Sequence, residues 1–391
     1  MRRIYFLFPT RSQLLFKPRY GGGSEIYLYQ LSTGLAEKGL EVHIIANLAT
    51  KEHPQVKLHH VDFSGNIISR NLNYLSCLRR FIKDESVVVI FDQAFGGLMP
   101  LVLKKIRKIK LVFHTTNHYP WLDDRSEINP RLYWPVLRAV VKNVDLIVVG
   151  NDLLKQGVIE RGGVGEDKIT IIPQAYNPRE LRHAQSIDVR EKFGIDEDTK
   201  LILYVGRIVP HKGIIDIIRT AAIVNSRVEN CKFFLVGPRG PHFSKDGKDT
   251  PSEFYYKAVG IAKKYQLENT VFFTGTVSRE ELYGFYKEAD IFLFPSYKEG
   301  FGTAVLEAAS NSKPIIVYDH PPLNYIISRN TGILVPPGNV KKLAEAVLYL
   351  LKNPSVAKQL GENAYGRFLK HFSIDAVLDK WIMLFENLAT W

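Results

Sequence analysis

Cysteine is scarce in this chain, and several other features that would narrow its interpretation are missing. The two cysteines, Cys77 and Cys231, are too few for the disulfide framework of a small secreted domain. No Asn-x-Ser/Thr glycosylation site survives the exclusion of proline. No apolar run approaches the about 18 residues that a membrane-spanning helix needs, and the first run, Arg3–Pro9, is too short for a signal peptide. We therefore expect a cytoplasmic protein.

Motifs for metals and common cofactors are missing as well. No His, Cys or carboxylate spacing typical of a metal site recurs, and the dinucleotide fingerprint G-x-G-x-x-G is absent. Asp196 and Asp198 form a D-x-D pattern that can hold a divalent cation, but they lie between Gly194 and Lys200, where a solvated turn is expected. The sequence thus predicts no metal site and argues against a nicotinamide oxidoreductase.

Positive charge is in excess and unevenly spread. The net charge is +12, and residues 1–180 hold 25 Lys/Arg against 17 Asp/Glu. Lys104–Lys110 places five cations in seven residues, and the helical pattern of Asn71–Lys83 places its leucines and Ile82 near one face beside further cations. Solvated helix ends and a face packed on a sheet are one interpretation, and peripheral contact with an anionic membrane is the other. No nucleic-acid motif accompanies the charge, so nucleic acid is not an expected partner.

Short apolar runs alternate with helical patterns along the whole chain. This alternation predicts an α/β protein with parallel sheets that helices cover on both faces. Two series of five strands, each opening with a glycine-containing turn, predict two similar domains. The predicted strands are Ile4–Phe8, Glu41–Ala46, Val87–Phe91, Lys110–His114, Asp145–Val149, Lys200–Val205, Lys232–Val236, Val271–Thr274, Ile291–Phe294 and Pro314–Tyr318.

The predicted domains meet where the periodic pattern breaks, near Pro173–Ile195. Predicted helices include Glu25–Lys38 and Gly213–Val224. The final segment, Ile374–Trp391, also has a helical pattern and carries much apolar surface that must be buried. It either packs at the end of the second domain or crosses back onto the first.

Ligands of open α/β sheets bind beyond the carboxyl ends of the strands, and two glycine-containing loops fall there. Tyr20–Glu25, which contains Gly22 and Gly23, opens a helix and is either a phosphate loop or a flexible turn. Arg207 and Lys212 follow a strand within a second loop. The planar guanidinium of arginine can donate two hydrogen bonds, and the lysine ammonium adds a compact positive charge, so the pair can bind one diphosphate. Plain surface charge is the alternative.

The most informative segment runs from Glu299 to Glu307 and places two carboxylates eight residues apart. Gly300 and Gly302 precede a helix that is predicted to begin near Thr303. Glycines at this position let backbone N–H groups approach a phosphate, and the helix dipole favours its negative charge. The carboxylate inside the helix can accept hydrogen bonds from a ribose diol, and the one before the glycines can reach a sugar. One segment therefore offers a place for each part of a nucleotide sugar.

These segments together resemble the retaining glycosyltransferases of family four, the "group 1" type with the GT-B fold. The resemblance covers nearly the full length and rests on Gly21–Glu25, Phe113–Thr116, Ile172–Asn177, Gly206–Lys212, Gly275–Val277 and Glu299–Glu307. One departure is Pro173-Gln-Ala-Tyr-Asn177, where the family usually has Pro-Asn-Gly-Val-Asp. The resemblance implies two Rossmann-like domains with a cleft between them. The acceptor-side domain would span 1–175, completed by a crossover helix at 374–391, and the donor-binding domain would span 183–373.

The resemblance also implies an activity and roles for particular residues. It implies transfer of a sugar from a UDP or GDP sugar to a glycan, glycolipid or small-molecule acceptor, with retention of configuration and without a metal. Arg207 and Lys212 would hold the donor phosphates and stabilise the leaving diphosphate. Glu307 would hold the ribose, Glu299 the transferred sugar, and His114 would line the sugar and acceptor side. A lone histidine at a strand end is more often structural, so that alternative stays open for His114.

Backbone groups complete the implied donor site. The N–H groups of the glycine loop and of the start of the predicted helix would contact phosphate and sugar oxygens, and a third stretch would lie against the base. These residues are Gly22, Gly23, Gly300, Phe301, Gly302, Thr303 and Val277. A nucleotide-sugar epimerase or a non-catalytic nucleotide-sugar binder is the alternative function. An epimerase would need another set of acid and base residues. A non-catalytic binder would be marked by loss of Arg207, Lys212 or Glu299.

Overall fold

The computed structural model describes residues 3–8, 14, 23–48, 52–64, 66–91, 97–115, 121, 130–179, 186–240 and 249–388. The chain divides into two compact units. The first contains Gly23–Ala175 together with the first strand and the helix that begins at Ile374, and the second contains Tyr176–Ser373. Among the described residues, no helix is both long and apolar enough to cross a bilayer.

The first unit is built on a parallel sheet of seven strands in the order β3-β2-β1-β4-β5-β6-β7. Its central strands are buried on both faces, as expected for a parallel sheet between helices. The strands are β1 Arg3–Phe8, β2 Glu41–Ala46, β3 Lys57–His60, β4 Ser86–Phe91, β5 Ile109–Thr115, β6 Leu146–Val149 and β7 Ile169–Ile171. The helices are α1 Gly23–Glu37, α2 Ile67–Phe81, α3 Leu98–Lys104, α4 Pro130–Asn143 and α5 Asp152–Gly162.

The second unit is built on a parallel sheet of six strands in the order β10-β9-β8-β11-β12-β13. Numbered within the unit this is 3-2-1-4-5-6, the Rossmann order. The strands are β8 Lys200–Val205, β9 Cys231–Val236, β10 Val271–Gly275, β11 Ile291–Phe294, β12 Ile315–Tyr318 and β13 Ile333–Val335. The helices are α6 Val189–Phe193, α7 Ile214–Asn225, α8 Glu253–Lys264, α9 Arg279–Glu288, α10 Thr303–Ser310, α11 Leu323–Ile326, α12 Val340–Lys352 and α13 Pro354–His371.

The last helix, α14 (Ile374–Leu388), packs on the first unit, which confirms the predicted crossover. Trp381 is fully buried, and its indole Nε1 donates to the hydroxyl of Tyr27 on α1 at 3.0 Å. Leu378 lies so close to α1 that a Cβ placed on Gly34 would approach its Cδ1 to 2.7 Å. The apolar face of the helix is therefore buried as part of the first unit's core.

The fold prediction is confirmed, and the ten predicted strands all occur with ends within one residue. Three further strands, β3, β7 and β13, were missed. β7 and β13 are three residues long, and β3 has a polar sequence with no fully buried residue. Short edge strands carry little apolar periodicity, so pattern alone does not reveal them.

One detail of the helix prediction was wrong. The sequence placed the leucines of α2 and Ile82 near one apolar face, but the structure divides them. Leu78 and Ile82 are buried in the first unit's core, whereas Leu72 is 62% exposed and Ile68 is 69% exposed. The helix thus presents apolar side chains both to the sheet and to solvent.

Candidate active site

The candidate site lies at the switch point of the second unit, where β8 and β11 are neighbours and their connections leave in opposite directions. β8 is followed by Gly206 and a 3₁₀ turn, Pro210–Lys212. Gly213 then starts α7 with a φ of +70°, and a Cβ placed there would lie 1.9 Å from the carbonyl oxygen of Pro295. Only glycine permits this approach, which brings the loop after β8 against the segment after β11.

That approach pairs Lys212 with Glu299. The lysine Nζ lies 2.5 Å from the carboxylate Oε1, and the two side chains are only 12% and 8% exposed. Nζ also lies 5.3 Å from the ring centroid of Phe294, at the end of β11. A lysine has three donors, so the ion pair leaves donors for a phosphate oxygen. The sequence prediction named both residues but not their pairing.

Arg207 lies half-buried in the same loop. Its backbone carbonyl accepts a hydrogen bond from the hydroxyl of Tyr204 at 3.0 Å, and Ile208 N donates to Pro238 O at 2.8 Å, in the segment after β9. Burial, and then the charges of Lys212 and Arg207, lower the pKa of His211. Both cations therefore act on the same small region, and His211 is neutral at pH 7.

The segment before Glu299 is fixed by hydrogen bonds. The carbonyl of His211 accepts from Tyr297 N at 2.8 Å and from the hydroxyl of Ser296 at 3.2 Å. The buried carboxylate of Asp216, in the first turn of α7, accepts from the hydroxyls of Tyr297 at 2.6 Å and Tyr318 at 2.8 Å. The sequence prediction missed Asp216, because a single helical aspartate carries no motif. These bonds hold the loop that carries Glu299 in place.

Glu307 lies inside α10 and is only 6% exposed. Its Oε2 accepts from the hydroxyl of Tyr286, on α9, at 2.8 Å. Burial raises the pKa of Glu307, and the positive charge of Arg279 and the Tyr286 hydrogen bond act in the opposite direction. The carboxylate is therefore held by α9, and neither Tyr286 nor Arg279 was foreseen from the sequence.

The glycines of the Glu299–Glu307 segment lead into a helix, as predicted. α10 begins at Thr303, where the sequence placed it, and Gly302 precedes it with a φ of +108°. A Cβ on Gly302 would lie 3.2 Å from Leu323 Cδ2. Phe301 is buried, and Gly300 follows directly on Glu299. The predicted phosphate-binding segment thus lies on the carboxyl side of β11, next to the Lys212 loop.

Two of the predicted contact residues lie elsewhere, Val277 in the second unit and Gly23 in the first. Val277 follows β10 and packs half-buried on the second unit's core. Gly23 is the first residue of α1, and its carbonyl accepts from Gln174 Nε2 at 3.0 Å. Gly22, the other half of the predicted glycine contact, lies outside the described residues.

His114 lies near the end of β5 and is completely buried. Its ring contacts Phe91, Trp381 and Tyr27, with centroid distances of 4.2, 5.5 and 5.8 Å. Among the described residues neither ring nitrogen has a hydrogen-bond partner, and burial lowers the pKa of His114 to about 3. The histidine is thus a neutral member of an aromatic cluster, and its predicted place beside an acceptor stays a prediction.

The structure thus brings Arg207, Lys212 and Glu299 together at one switch point, with Glu307 on the helix that follows. It places His114 and Gly23 in the first unit. Within the parts of the chain that the structure describes, no group of three or more His, Cys, Asp or Glu side chains is arranged to hold a metal ion.

Known proteins are similar to this chain over both of its units. The chain is similar to a trehalose synthase of Pyrococcus horikoshii, with 29% identity over 384 residues that cover 95% of this chain and 88% of that protein. Its fold matches sucrose-phosphate synthase from Thermosynechococcus elongatus, with a TM-score of 0.80, 21% identity and 99% coverage of both chains. It also matches Anabaena HepE in complex with UDP and glucose, with a TM-score of 0.77, 14% identity and full coverage of both chains.

Family models match the two halves in turn. The model described as "Glycosyltransferase Family 4" matches residues 21–180, and the model described as "Glycosyl transferases group 1" matches residues 185–367. The structural matches show two parallel-sheet domains of the GT-B type. The chain therefore belongs to the group 1 glycosyltransferases of family 4.

Proposed function

We propose that this glycosyltransferase moves a hexose from a UDP or GDP sugar to a glycan, glycolipid or small-molecule acceptor. The observation that carries the proposal is the Lys212–Glu299 pair at the switch point of the second unit. A cation and a carboxylate side by side suit a ligand that is anionic at one end and rich in hydroxyl groups at the other. A nucleoside diphosphate sugar has both parts joined through its diphosphate.

Arg207 and Lys212 serve the diphosphate in this proposal. Negative charge builds on the leaving diphosphate as the sugar bond breaks, and fixed cations placed there stabilise that charge. HepE, which shares the fold, was solved in complex with UDP and glucose, which supports a nucleoside diphosphate as part of the substrate. We propose that the two cations replace the divalent metal that other sugar-transfer enzymes use.

In this proposal the carboxylates of Glu299 and Glu307 bind hydroxyl groups of the donor. Glu299 accepts from the transferred sugar and keeps Lys212 oriented, since the two side chains are already paired. Glu307 accepts from the ribose diol through the oxygen that Tyr286 does not occupy. Backbone groups of Gly300–Thr303, and of Gly22 and Gly23, complete the contacts to phosphate and sugar oxygens.

Each unit has its own role in this proposal. Residues 183–373 form the donor-binding domain, with Val277 against the base. Residues 1–175 with the helix at 374–391 form the acceptor-side domain, where His114 lines the sugar and acceptor side. The transferred sugar keeps its anomeric configuration, and no covalent nucleophile is assigned.

A panel assay tests the proposal. UDP-glucose, UDP-galactose, UDP-N-acetylglucosamine and GDP-mannose are each incubated with the protein, with and without simple sugar and glycolipid acceptors, and free nucleoside diphosphate is measured. Release that an acceptor stimulates is expected from at least one donor. The anomeric configuration of the product, read by NMR, tests retention. A complete lack of binding and release for every donor contradicts the function.

We further propose that the first unit rests on an anionic membrane surface. Ile68, Leu72 and Ile106 are exposed apolar side chains on α2 and just after α3, beside the basic run that ends at Lys110. Three of the five cations in that run pair internally, with Asp145, Asp84 and Glu85, so the electrostatic attraction is smaller than the sequence suggests. Co-sedimentation with anionic vesicles at low salt is expected, and equal recovery with neutral and anionic vesicles contradicts it.

A further inference from the structure

Asp216 carries a buried carboxylate that has no role in the proposed transfer chemistry. It lies in the first turn of α7 and is only 7% exposed. Its Oδ2 accepts two hydrogen bonds, one from the hydroxyl of Tyr297 at 2.6 Å and one from the hydroxyl of Tyr318 at 2.8 Å. Burying a carboxylate costs free energy unless it is well bonded, so a buried group with two neutral donors on one oxygen calls for an explanation.

The two tyrosines link this carboxylate to different parts of the second unit. Tyr318 is the last residue of β12 and is completely buried, so its bond joins α7 to the sheet. Tyr297 lies in the loop after β11 and is 45% exposed, so its bond joins α7 to that loop. Glu299 follows two residues later in the same loop. Two bonds of the same kind to the same oxygen therefore hold elements of different function.

The Tyr297 bond is a second bridge between the two segments that the ion pair joins. Asp216 N donates to the carbonyl of Gly213 at 3.0 Å, and Gly213 directly follows Lys212. Asp216 is thus about one helical turn from the cation, and Tyr297 is close in the chain to Glu299. The ion pair joins the ends of two long, flexible side chains, whereas the second bridge joins a short side chain to a rigid ring. The second bridge is therefore the one that sets the spacing of the two segments.

Both tyrosines keep their protons at neutral pH. Burial, followed by the hydrogen bond to Asp216 and its charge, raises the pKa of Tyr297. Burial and the same partner raise the pKa of Tyr318 as well. Hydrogen bonds to an ionised acceptor are shorter and about twice as strong as bonds between neutral groups, which fits the 2.6 Å length at Tyr297. The link between α7 and the loop is thus strong and persistent.

We propose that Asp216 is a positioning residue for sugar transfer, which acts through Tyr297 to fix where Glu299 meets the hydroxyl groups of the donor sugar. The inference rests on the proposed function, because it concerns the same carboxylate and the same donor. A hydrogen bond to a sugar hydroxyl is directional, so the position of Glu299 decides both how well the sugar is aligned and which epimer fits. The nucleotide is held by other residues, so its affinity does not depend on this bond.

A matched pair of variants tests this role. Tyr297→Phe and Tyr318→Phe each remove one hydroxyl from the same carboxylate oxygen and keep the ring, so both are expected to lose similar thermal stability. Turnover is measured with the most active donor and with its epimer on the same nucleotide, UDP-glucose with UDP-galactose or GDP-mannose with GDP-glucose. Binding of free UDP or GDP is measured by calorimetry. These quantities distinguish a displaced Glu299 from a weakened fold.

Only the variant in the loop is expected to change the reaction. Tyr297→Phe is expected to lower kcat about tenfold, since a misplacement of about 1 Å can cost up to about a hundredfold. Its preference between the two epimers is expected to fall several-fold, while Kd for the free nucleotide stays at the wild-type value. Tyr318→Phe is expected to keep the wild-type kcat, epimer preference and nucleotide Kd.

A double variant tests whether Tyr297 acts through Asp216. Asp216→Ala is expected to lower kcat at least as much as Tyr297→Phe does. When the two changes are combined, the loss is expected to be smaller than the product of the two single losses. Asp216→Asn keeps an acceptor oxygen and is expected to retain more turnover than Asp216→Ala. If Asp216→Ala does not fold, Asp216→Asn takes its place in the double variant.

The outcomes separate this role from the proposed function. Wild-type kcat in Tyr297→Phe overturns the positioning role. So does an equal loss in Tyr318→Phe, or a nucleotide Kd that rises as much as kcat falls, since either indicates a general disturbance of the site. Losses that multiply in the double variant overturn it as well.

A wild type that turns over no donor contradicts the proposed function instead, and amide hydrogen exchange then decides the role of Asp216. Faster exchange at Gly300 and Phe301 in Tyr297→Phe than in Tyr318→Phe supports the link from Asp216 to the loop. Equal exchange in the two variants overturns it.

Discussion

The two units share one strand arrangement, yet the ends of their central strands carry opposite chemistry. Both sheets have a switch point, between β1 and β4 in the first and between β8 and β11 in the second. In the second unit this edge holds the Lys212–Glu299 ion pair and, on the helix that follows β11, the buried carboxylate of Glu307. In the first unit the strand next to the switch point ends in an aromatic cluster around the neutral His114.

The difference shows that the fold supplies a crevice and the strand-end residues decide what enters it. Buried charges persist only when they are paired or meet a charged ligand. The paired charges of the second unit are therefore what the proposed phosphate-bearing donor requires. The aromatic cluster of the first unit is instead uncharged and buried in that unit's core, so it needs no charged ligand.

The largest expected effect is on the stability of the first unit. Trp381→Ala removes a buried indole that packs on the His114 cluster and donates to Tyr27. Deleting a buried tryptophan of this kind costs about 3–5 kcal/mol of unfolding free energy. Chemical denaturation of the variant, with exposed Met383→Ala on the same helix as control, measures it. A loss below about 1 kcal/mol would show that α14 is not essential to that core.

The next effect is on chemistry in the second unit. Arg207→Ala and Lys212→Ala are each expected to lower turnover about a hundredfold or more, because each removes a fixed cation from the leaving diphosphate. Lys212→Ala also leaves Glu299 without its partner. Steady-state kinetics on folded variants gives the result, with exposed Lys257→Ala on α8 as control. Near-normal turnover in both variants contradicts the phosphate role.

Substitution of the two glutamates is expected to affect different steps: nucleotide binding for Glu307 and sugar transfer for Glu299. Glu307→Ala is expected to weaken binding of the free nucleoside diphosphate about tenfold, because a buried hydrogen-bond acceptor for the ribose is lost. Glu299→Ala is expected to lower transfer more than it lowers nucleotide binding. Titration and turnover are compared for both variants, with exposed Glu345→Ala as control. Wild-type nucleotide affinity in Glu307→Ala counts against the ribose contact.

The effect that is smallest near neutral pH concerns the first unit and grows as the solution is made acidic. Burial lowers the folded-state pKa of His114 to about 3, below its ordinary value of 6.5. The unfolded chain therefore binds the proton first, and stability is lost as pH falls from about 6.5 towards 3, by at most about 1.4 kcal/mol per pH unit. His114→Phe is expected to remove this component. Unfolding curves at several pH values test it, and identical pH dependence in variant and wild type contradicts a neutral buried histidine.

Sequence patterns revealed much of this molecule because its central strands are apolar runs and its charged loops follow them. Arg207, Lys212, Glu299 and Glu307 could be named from position alone. The Lys212–Glu299 pair could not, since 87 residues separate the partners and only the strand order brings them together. The burial of His114 depends in part on Trp381, which the last helix of the chain supplies. Contacts between segments that are distant in the chain leave no pattern in the local sequence, so they could not be predicted from it.

The central claim is that fixed cations at the second unit's switch point activate the diphosphate without a metal. Turnover of the active donor, measured in excess EDTA and again with added magnesium or manganese, tests it most directly. Equal rates under the two conditions are predicted, because Arg207 and Lys212 already supply the positive charge. Complete loss of activity in EDTA, restored by either metal, would contradict the account.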